Sequence, residues 1–271
     1  RSRVAESGMT LREHLDELRR RLMFVVAFLL VATIVAFFFR DPVLRFLLEP
    51  GFGDSGEKPI ATEVLETISV TFKVTLLAGL AASLPVILYQ VIMFASPGLT
   101  ARERRYLFLL LPGVLTAFGA GVAFAYYVLL PPALNFLFLF QGDVVDIQPR
   151  VASYINLITT LMFWMGVVFE IPIVMFGLAR LGVVTPRWLG RFRRLAVVLA
   201  FVAAAMITPT FDPVNQTLVA VPIIVMYEAG ILLARLGQRL RGRGQPREPK
   251  TPLVRRVGRR LRFWDRGGAG G

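Results

Sequence analysis

Long apolar blocks alternate with short polar segments along this chain of 271 residues. The blocks cover residues 22–39, 70–94, 107–130, 154–179, 195–207 and 214–236. A helix of about 20 apolar residues crosses the hydrocarbon core of a bilayer. The pattern therefore predicts an all-α membrane protein with six transmembrane helices.

The last two blocks are shorter or less apolar than the others. The fifth, at 195–207, has 13 residues, or about 20 Å of helix, against a hydrocarbon core of about 30 Å. The sixth opens with Asn215 and Gln216 and contains Glu228 in its second half. Either flanking polar residues extend to the headgroups, or this half of the molecule thins the bilayer or is shielded by the other helices. We favour the second interpretation.

A few residues inside and between the blocks have predicted structural roles. Gly113, Ala117 and Gly121 recur every four residues, a pattern that lets helix backbones approach closely. Proline in a helix permits a kink, and a carboxylate before a helix can cap it. The positions expected to act in these ways are Pro50, Pro85, Pro172 and Asp212, the last with Pro213 at the first helical position.

Basic residues are concentrated in alternate connections. Of the 31 Lys and Arg residues, 26 lie at 1–21, at 96–106, at 180–194 and from Arg235 to the C-terminus. The connections at 40–69, 131–152 and 208–213 together carry four. The positive-inside rule places the first set in the cytoplasm, so both termini are predicted inside. The net charge of +13 is then mostly a topology signal and not a nucleic-acid footprint.

This topology divides the chain into three parts. Residues 1–21 form a cytoplasmic amphipathic segment, 22–236 the six-span membrane domain, and 237–271 a basic cytoplasmic tail. The tail is rich in Arg, Gly and Pro, a composition that predicts a mobile segment. Its charge favours contact with anionic lipid headgroups, although a purely solvated tail fits the composition nearly as well.

The composition argues against catalysis. The chain has no cysteine and one histidine, His14, so disulfides, HExxH zinc sites and His-rich metal clusters are excluded. No Gly-Lys dipeptide occurs, which excludes a Walker A loop. We expect neither an enzyme nor a bound cofactor or metal.

The segment MTLREHLDELRRRL at 9–22 places three acids among four arginines just before the first span. Arginines here hold a span in place, but carboxylates need another reason. Glu17 has Arg20 and Arg21 at helical spacing, so a pair worth a few tenths of a kcal/mol is one explanation. The other is that Glu17, with Glu103 in the next cytoplasmic loop, binds a cationic partner.

Five segments in order carry a resemblance to a known family. They are HLDELRRR at 14–21, LPVILYQ at 84–90 leading through Phe94 to PGLTARERR at 97–105, FAYY at 124–127, FEIP at 169–172 and TPTFD at 208–212. Together they resemble TatC, the multispanning receptor of the twin-arginine protein translocase, over residues 9–236. Ile92, where many members have Trp, and the Pro-Thr-Phe-Asp turn depart from the family pattern without touching its charged motifs.

The resemblance implies a fold, a location and a set of partners. The six helices are expected to form a glove-shaped concave bundle in a bacterial or archaeal cytoplasmic membrane. Folded cargo bearing a twin-arginine signal peptide is expected to bind on the cytoplasmic face, with transport driven by the proton-motive force. Further partners implied are single-span subunits of the TatA and TatB type and other copies of the chain.

The resemblance also assigns a signal-peptide site. Its residues are Glu17 and Glu103 as carboxylates, Phe94, Tyr89 and Leu99 as the neighbouring surface, and Arg19 beside them. An arginine guanidinium is planar, always charged and able to bind a carboxylate through two hydrogen bonds. A hydrogen bond to a charged group contributes about 1.5–3 kcal/mol. Two carboxylates would thus discriminate a twin-arginine signal by a factor of about 10² to 10⁴.

Two further acids, Glu170 and Glu228, fall inside apolar blocks. A carboxylate inside a span is costly and usually faces a protein interior or a wet cavity. They form either a polar intramembrane site or hydrogen-bonded structural positions. The competing function is a small proton-coupled transporter that uses both acids, but the two three-span halves differ in loops and motifs, against the inverted repeats of such proteins.

Overall fold

The computed structural model describes residues 11–53, 59–95, 101–139, 149–208 and 212–244. These parts of the chain are helical, and their one extended contact is a bridge between Ile60 and Arg150. The α-helices are α1 (Leu11–Phe38), α2 (Arg40–Phe52), α3 (Glu66–Ala95), α4 (Ala101–Phe124), α5 (Leu130–Leu139), α6 (Val151–Leu181), α7 (Pro186–Arg191), α8 (Arg193–Ile207) and α9 (Pro213–Gly244). A π-helical turn, Ala125–Leu129, joins α4 to α5.

Five helical stretches in the described residues are long and apolar enough to cross a membrane. They are Arg12–Phe38, Glu66–Phe94, Phe108–Phe138, Val151–Leu181 and Pro213–Leu240. They match predicted spans one, two, three, four and six, and they confirm the all-α membrane class. The predicted fifth span corresponds to α8, whose 15 residues extend only about 22 Å.

The sixth predicted span needs a correction, because α9 is not short. It has 32 residues, about 48 Å of helix. The polar residues that interrupt its apolar pattern lie within the helix, and their partners lie just before it or in α8. Asn215 is buried and bonded to Asp212, and Glu228 forms an ion pair with Arg193. Polar residues that are satisfied in this way do not end a helix, so only α8 is short by length.

Two predicted connections contain more helix than the sequence pattern indicated. Helix α2 occupies the first part of the 40–69 connection, and α5 carries the third span to Leu139, beyond the predicted end at residue 130. Both are held by the core. Leu47 of α2 and Leu134 of α5 are buried, and the Tyr126 hydroxyl donates to the Phe46 carbonyl at 2.9 Å. Helix α9 likewise continues to Gly244, past the predicted domain boundary at residue 236.

Helix α6 is the centre of the bundle and packs against α4 and α9. Its side chains Ile155, Ile158 and Met165 are fully buried in the main core. The predicted small-residue face of α4 contributes directly: a Cβ at Gly121 would collide with the Met165 carbonyl oxygen and lie 2.9 Å from the Gly166 Cα. Close approach of α4 and α6 therefore requires glycine at 121.

Helix α1 lies at one side of the bundle and packs mainly on α3. At their crossing, a Cβ on Gly79 would lie 2.7 Å from the Thr33 Cα. None of the apolar stretch of α1 is buried within the chain. Most of its leucines, valines and phenylalanines are exposed and are not covered by other described residues. Such a face is suited to contact with the hydrocarbon of a bilayer.

The N-terminal end of α3 is linked to the start of α6 by a cluster of hydrogen bonds. Glu66 accepts from the backbone N–H of Thr62 at 2.8 Å and of Ala152 at 2.9 Å. Arg150 pairs with Glu63 at 3.0 Å and with Glu66 at 3.5 Å. The hydrogen bond to Glu63 and the charge of Glu66 raise the pKa of Arg150 above its usual range, so this arginine stays cationic. This end of the bundle is thereby rigidly held.

An apolar concavity of about 160 Å³ opens between α2, α3, α4 and α6. Phe46, Val74, Phe118 and Met162 are among its lining residues. The one hydroxyl in the lining, on Thr159, donates to the Ile155 carbonyl of its own helix. The concavity therefore presents a hydrocarbon-like surface.

Candidate functional site

The predicted signal site lies where the first turns of α1 meet the last turns of α3. Two side-chain contacts join the helices there. Arg21 donates from Nη1 to Oε1 of Gln90 at 3.1 Å. His14 stacks on Phe94 with ring centroids 4.4 Å apart and planes 20° from parallel. These contacts fix the face of α1 that carries Glu17 against α3, because residues 14, 17 and 21 share one side of a helix.

Glu17 is paired within its own helix. Its Oε1 accepts from Nε of Arg21 at 2.9 Å and also from Nη2. The two side chains are only 18% and 20% exposed, so water screens this pair less than a surface pair. The local pairing expected from the sequence is therefore present, and it uses Arg21.

The second oxygen of Glu17 has a different environment. Oε2 is buried and has no hydrogen-bond partner among the described residues. A buried acceptor left unsatisfied costs about 1–3 kcal/mol. Glu17 therefore keeps free acceptor capacity at the end of the bundle where a cationic ligand was predicted.

Glu103, the predicted partner of Glu17, is the third residue of α4. The backbone at this position is helical, while the Glu103 side chain, like all of Leu99, lies outside the described residues. The N-terminal turn of a helix favours a carboxylate through the helix dipole. The pairing of Glu17 and Glu103 on one ligand accordingly stays a prediction.

The start of α4 is fastened to the end of α3 beside the site. Arg104 donates from Nη2 to Sδ of Met93 at 3.1 Å, and its guanidinium lies 5.8 Å from the centre of the Phe108 ring. Tyr89 packs against the same ring with centroids 5.7 Å apart. Three helix ends, those of α1, α3 and α4, therefore meet here.

Two other charged residues of the α1 segment differ from Glu17 in their surroundings. Arg19 and Asp16 are exposed. Arg19 follows Glu17 by two residues, or about 200° around the helix, which places it on the opposite side from Glu17. Asp16 is thus a solvated helix charge, whereas the assignment of Arg19 to the signal site gains no contact in the described residues.

Two residues of this junction were not assigned to the site from sequence. Gln90 is part of the LPVILYQ segment, yet only Tyr89 was selected from it, and Arg21 was treated only as a membrane anchor or as a pairing partner of Glu17. The signal that could have identified Gln90 is its position as a polar amide at the end of a long apolar span. Its partner could not be named, because a contact between residues 69 positions apart leaves no local pattern.

Glu170 and Glu228 have separate environments. Oε1 of Glu170, in α6, is buried without a hydrogen-bond partner among the described residues. Glu228, in α9, pairs with Arg193 of α8 at 2.8 Å, and both side chains are nearly half exposed. Only Glu170 therefore matches the expectation of an unpaired intramembrane carboxylate.

The predicted structural positions divide into helix interiors and ends. Helices α3 and α6 continue through Pro85 and Pro172, and Pro50 lies in the last turn of α2. Asp212 caps α9: its Oδ1 accepts from the Asn215 backbone N–H at 2.6 Å. The cap predicted before Pro213 is thus present.

Metal ligation finds no support in the described residues. No group of three or more His, Asp or Glu side chains there is arranged to hold an ion.

A family model, described as Sec-independent protein translocase protein (TatC), matches residues 13–222. Relatives of that name include the Aquifex aeolicus protein, 37% identical over 85% of this chain and 97% of its own length. The Carboxydothermus hydrogenoformans protein is 31% identical over 86% of this chain and 95% of its own length. The chloroplastic TATC protein of Arabidopsis thaliana is 37% identical over 85% of this chain and 68% of its own length.

Two solved structures resemble this chain. One, described as the crystal structure of twin arginine translocase receptor TatC, has a TM-score of 0.75 and 36% identity. It covers 84% of this chain and is itself covered completely. A second, of the same receptor in the detergent DDM, also has a TM-score of 0.75 and 36% identity. The likeness extends across the whole helical bundle.

Proposed function

We propose a function from one premise: the chain belongs to the TatC family of Sec-independent protein translocase proteins, as a multi-pass membrane subunit and not an enzyme. On this premise it is the receptor subunit of a twin-arginine translocase. It binds the signal peptides of folded cargo where the ends of α1, α3 and α4 meet. Glu17 and Glu103 receive the two arginines.

The observation that carries this proposal is the state of Glu17. A carboxylate at the end of a membrane bundle with one oxygen buried and unpartnered lacks a donor. A cargo guanidinium supplies several N–H groups and a positive charge. Phe94 and Tyr89 lie at the same junction and offer aromatic surface to the segment that follows the arginines.

The proposal includes orientation and assembly. Both termini lie in the cytoplasm of a bacterial or archaeal cell, in line with the distribution of basic residues. The subunit works with single-span TatA-type and TatB-type proteins and with other copies of itself, and the proton-motive force drives transport. Anionic lipids accompany the basic C-terminal segment.

The transporter alternative is not favoured. It requires Glu170 and Glu228 to exchange protons together, yet Glu228 is held by Arg193. The family match covers most of the chain and belongs to a protein translocase. We propose instead that Glu170, whose Oε1 is buried and unpartnered among the described residues, docks a polar residue of a partner helix.

The test is peptide binding to the purified protein in lipid nanodiscs. A fluorescent signal peptide with two arginines is compared with one carrying two lysines. Glu17→Gln and Glu103→Gln are each expected to weaken binding of the arginine peptide by about tenfold or more. Asp16→Asn is the matched control, because it removes the same charge one residue from Glu17 on an exposed side chain.

Two results would contradict the receptor function. One is equal affinity of the parent protein for both peptides. The other is equal loss of binding in Asp16→Asn and Glu17→Gln, since that would reduce the site to a general negative charge.

A further inference from the structure

The pairing of Arg21 with Glu17 is one-sided. Arginine usually binds a carboxylate with one N–H on each oxygen. Here Nε and Nη2 of Arg21 both approach Oε1, while Oε2 stays buried and unpartnered among the described residues. The two oxygens of a single carboxylate therefore have unlike roles.

Arg21 is also held from the other side. Its Nη1 donates to Gln90 of α3 at 3.1 Å, so the guanidinium has acceptors on two helices. Rotation toward Oε2 would break the contact with Gln90. Because Arg21 is only 20% exposed, water replaces a lost partner poorly. Gln90 thus keeps Arg21 on Oε1.

We propose that Arg21 and Gln90 are positioning residues of the signal site: Arg21, held by Gln90, occupies Oε1 of Glu17 and leaves Oε2 to accept one cargo guanidinium. This inference rests on the function proposed above. It adds which atom receives the ligand and which residues orient that atom. Since Oε2 is covered, the entering cation displaces a neighbouring side chain as it binds.

The same arrangement favours arginine over lysine. A guanidinium is weakly hydrated and can donate hydrogen bonds to a buried oxygen from N–H groups in its own plane. An ammonium is compact and strongly hydrated. Arg21 adds a fixed positive charge beside the site, which penalises a cation unless it forms a well-directed bond with Oε2. Specificity therefore depends on the geometry that Arg21 imposes.

The two possible roles of Arg21, orienting Glu17 or only adding a positive charge, predict opposite changes in peptide affinity when Arg21 is replaced. If Arg21 is only a nearby positive charge, Arg21→Gln removes repulsion and tightens binding of a cationic peptide. If Arg21 orients Glu17, the same change weakens binding of the arginine peptide and reduces its preference over the lysine peptide. Arg20→Gln is the matched control, because it removes the same charge from an exposed neighbour.

The experiment measures affinity of the full-length protein in nanodiscs for both peptides. Arg21→Gln is expected to weaken binding of the arginine peptide about tenfold, and Gln90→Leu about threefold, with a smaller arginine-to-lysine ratio in both. The double variant is expected to lose no more than Arg21→Gln alone, since both residues act through Glu17. Arg20→Gln should leave the ratio unchanged.

Two results overturn the inference. One is an arginine-to-lysine affinity ratio in Arg21→Gln and Gln90→Leu that equals the ratio of the parent protein. The other is tighter binding of the arginine peptide by Arg21→Gln, to the same extent as by Arg20→Gln. Should Arg21→Gln fail to fold, Gln90→Leu decides alone, and an unchanged ratio there overturns it. Loss of binding in Glu17→Gln with parental binding in the other variants refutes only this inference. Parental binding in Glu17→Gln refutes the receptor function as well.

Discussion

The imidazole of His14 stacks on the ring of Phe94 at a centroid distance of 4.4 Å. This contact joins the second turn of the first helix to the end of α3, one turn from Glu17. The one histidine of the chain therefore makes a packing contact. In the proposed signal site, this contact would fix the position of the Phe94 ring beside Glu17.

Removal of either ring is expected to weaken signal binding by the loss of one aromatic contact. Such pairs contribute about 0.5–1.5 kcal/mol, so His14→Ala and Phe94→Ala should each lower affinity for a twin-arginine peptide several-fold. A double-mutant cycle should give a coupling energy in the same range. Strictly additive losses would mean that the two rings act independently.

Gly121 is expected to tolerate no side chain. A Cβ there would meet backbone atoms of Met165 and Gly166 in α6, and backbone cannot rotate away. Gly121→Ala should therefore destabilise the protein by about 1–3 kcal/mol, measured as thermal unfolding in detergent. Gly119→Ala is the control in the same helix: a Cβ there meets nothing within 4 Å, so stability should hold or rise. Equal effects at both positions would argue against the α4–α6 packing.

The proposed orientation can be tested with two valines. Val64 is 95% exposed in the connection predicted outside, and Val183 is 70% exposed in the connection predicted inside. The chain has no cysteine, so Val64→Cys and Val183→Cys each supply a single thiol. A membrane-impermeant maleimide should label only Val64→Cys in intact cells and both in lysed cells. The reverse labelling would invert the topology.

Asp212 is expected to act through the start of α9. Loss of an N-terminal cap costs about 0.5–2 kcal/mol, so Asp212→Ala should lower the thermal unfolding temperature of the purified protein. Asp212→Asn keeps an acceptor for the Asn215 N–H and should recover most of the loss. If both variants were equally unstable, the negative charge and not the cap would be the important property.

Much of the bundle could be predicted from sequence, because membrane spans are local features. An apolar block of sufficient length is itself the evidence for a helix: α3, α6 and α9 contain their predicted blocks, and α1 contains all of its block except Phe39. The predicted ends were less accurate at α5, α7 and α9. Helix α7, for example, begins at Pro186 and is capped by Thr185, whose hydroxyl accepts from the Trp188 backbone N–H, inside a loop that was identified only by its basic residues.

Only part of the junction around Glu17 could be predicted from sequence. Glu17 was selected because a carboxylate among arginines beside a membrane is unusual. Gln90 and the role of Arg21 were missed, since the Arg21–Gln90 contact joins residues far apart in the chain. Arg19 shows the converse limit: it lies close to Glu17 in sequence, yet helical geometry turns it to the other side.

The sequence by itself determined the class, the spans, the expected orientation and the residues able to bind a cation, because hydrophobicity and charge are properties of single residues and short segments. The tertiary structure decided which oxygen of Glu17 is occupied and which helix holds Arg21. It also decided that, among the described residues, Glu228 has an ion-pair partner and Oε1 of Glu170 has none. Those outcomes depend on the distance between helices, and that distance is set by packing at residues such as Gly79 and Gly121.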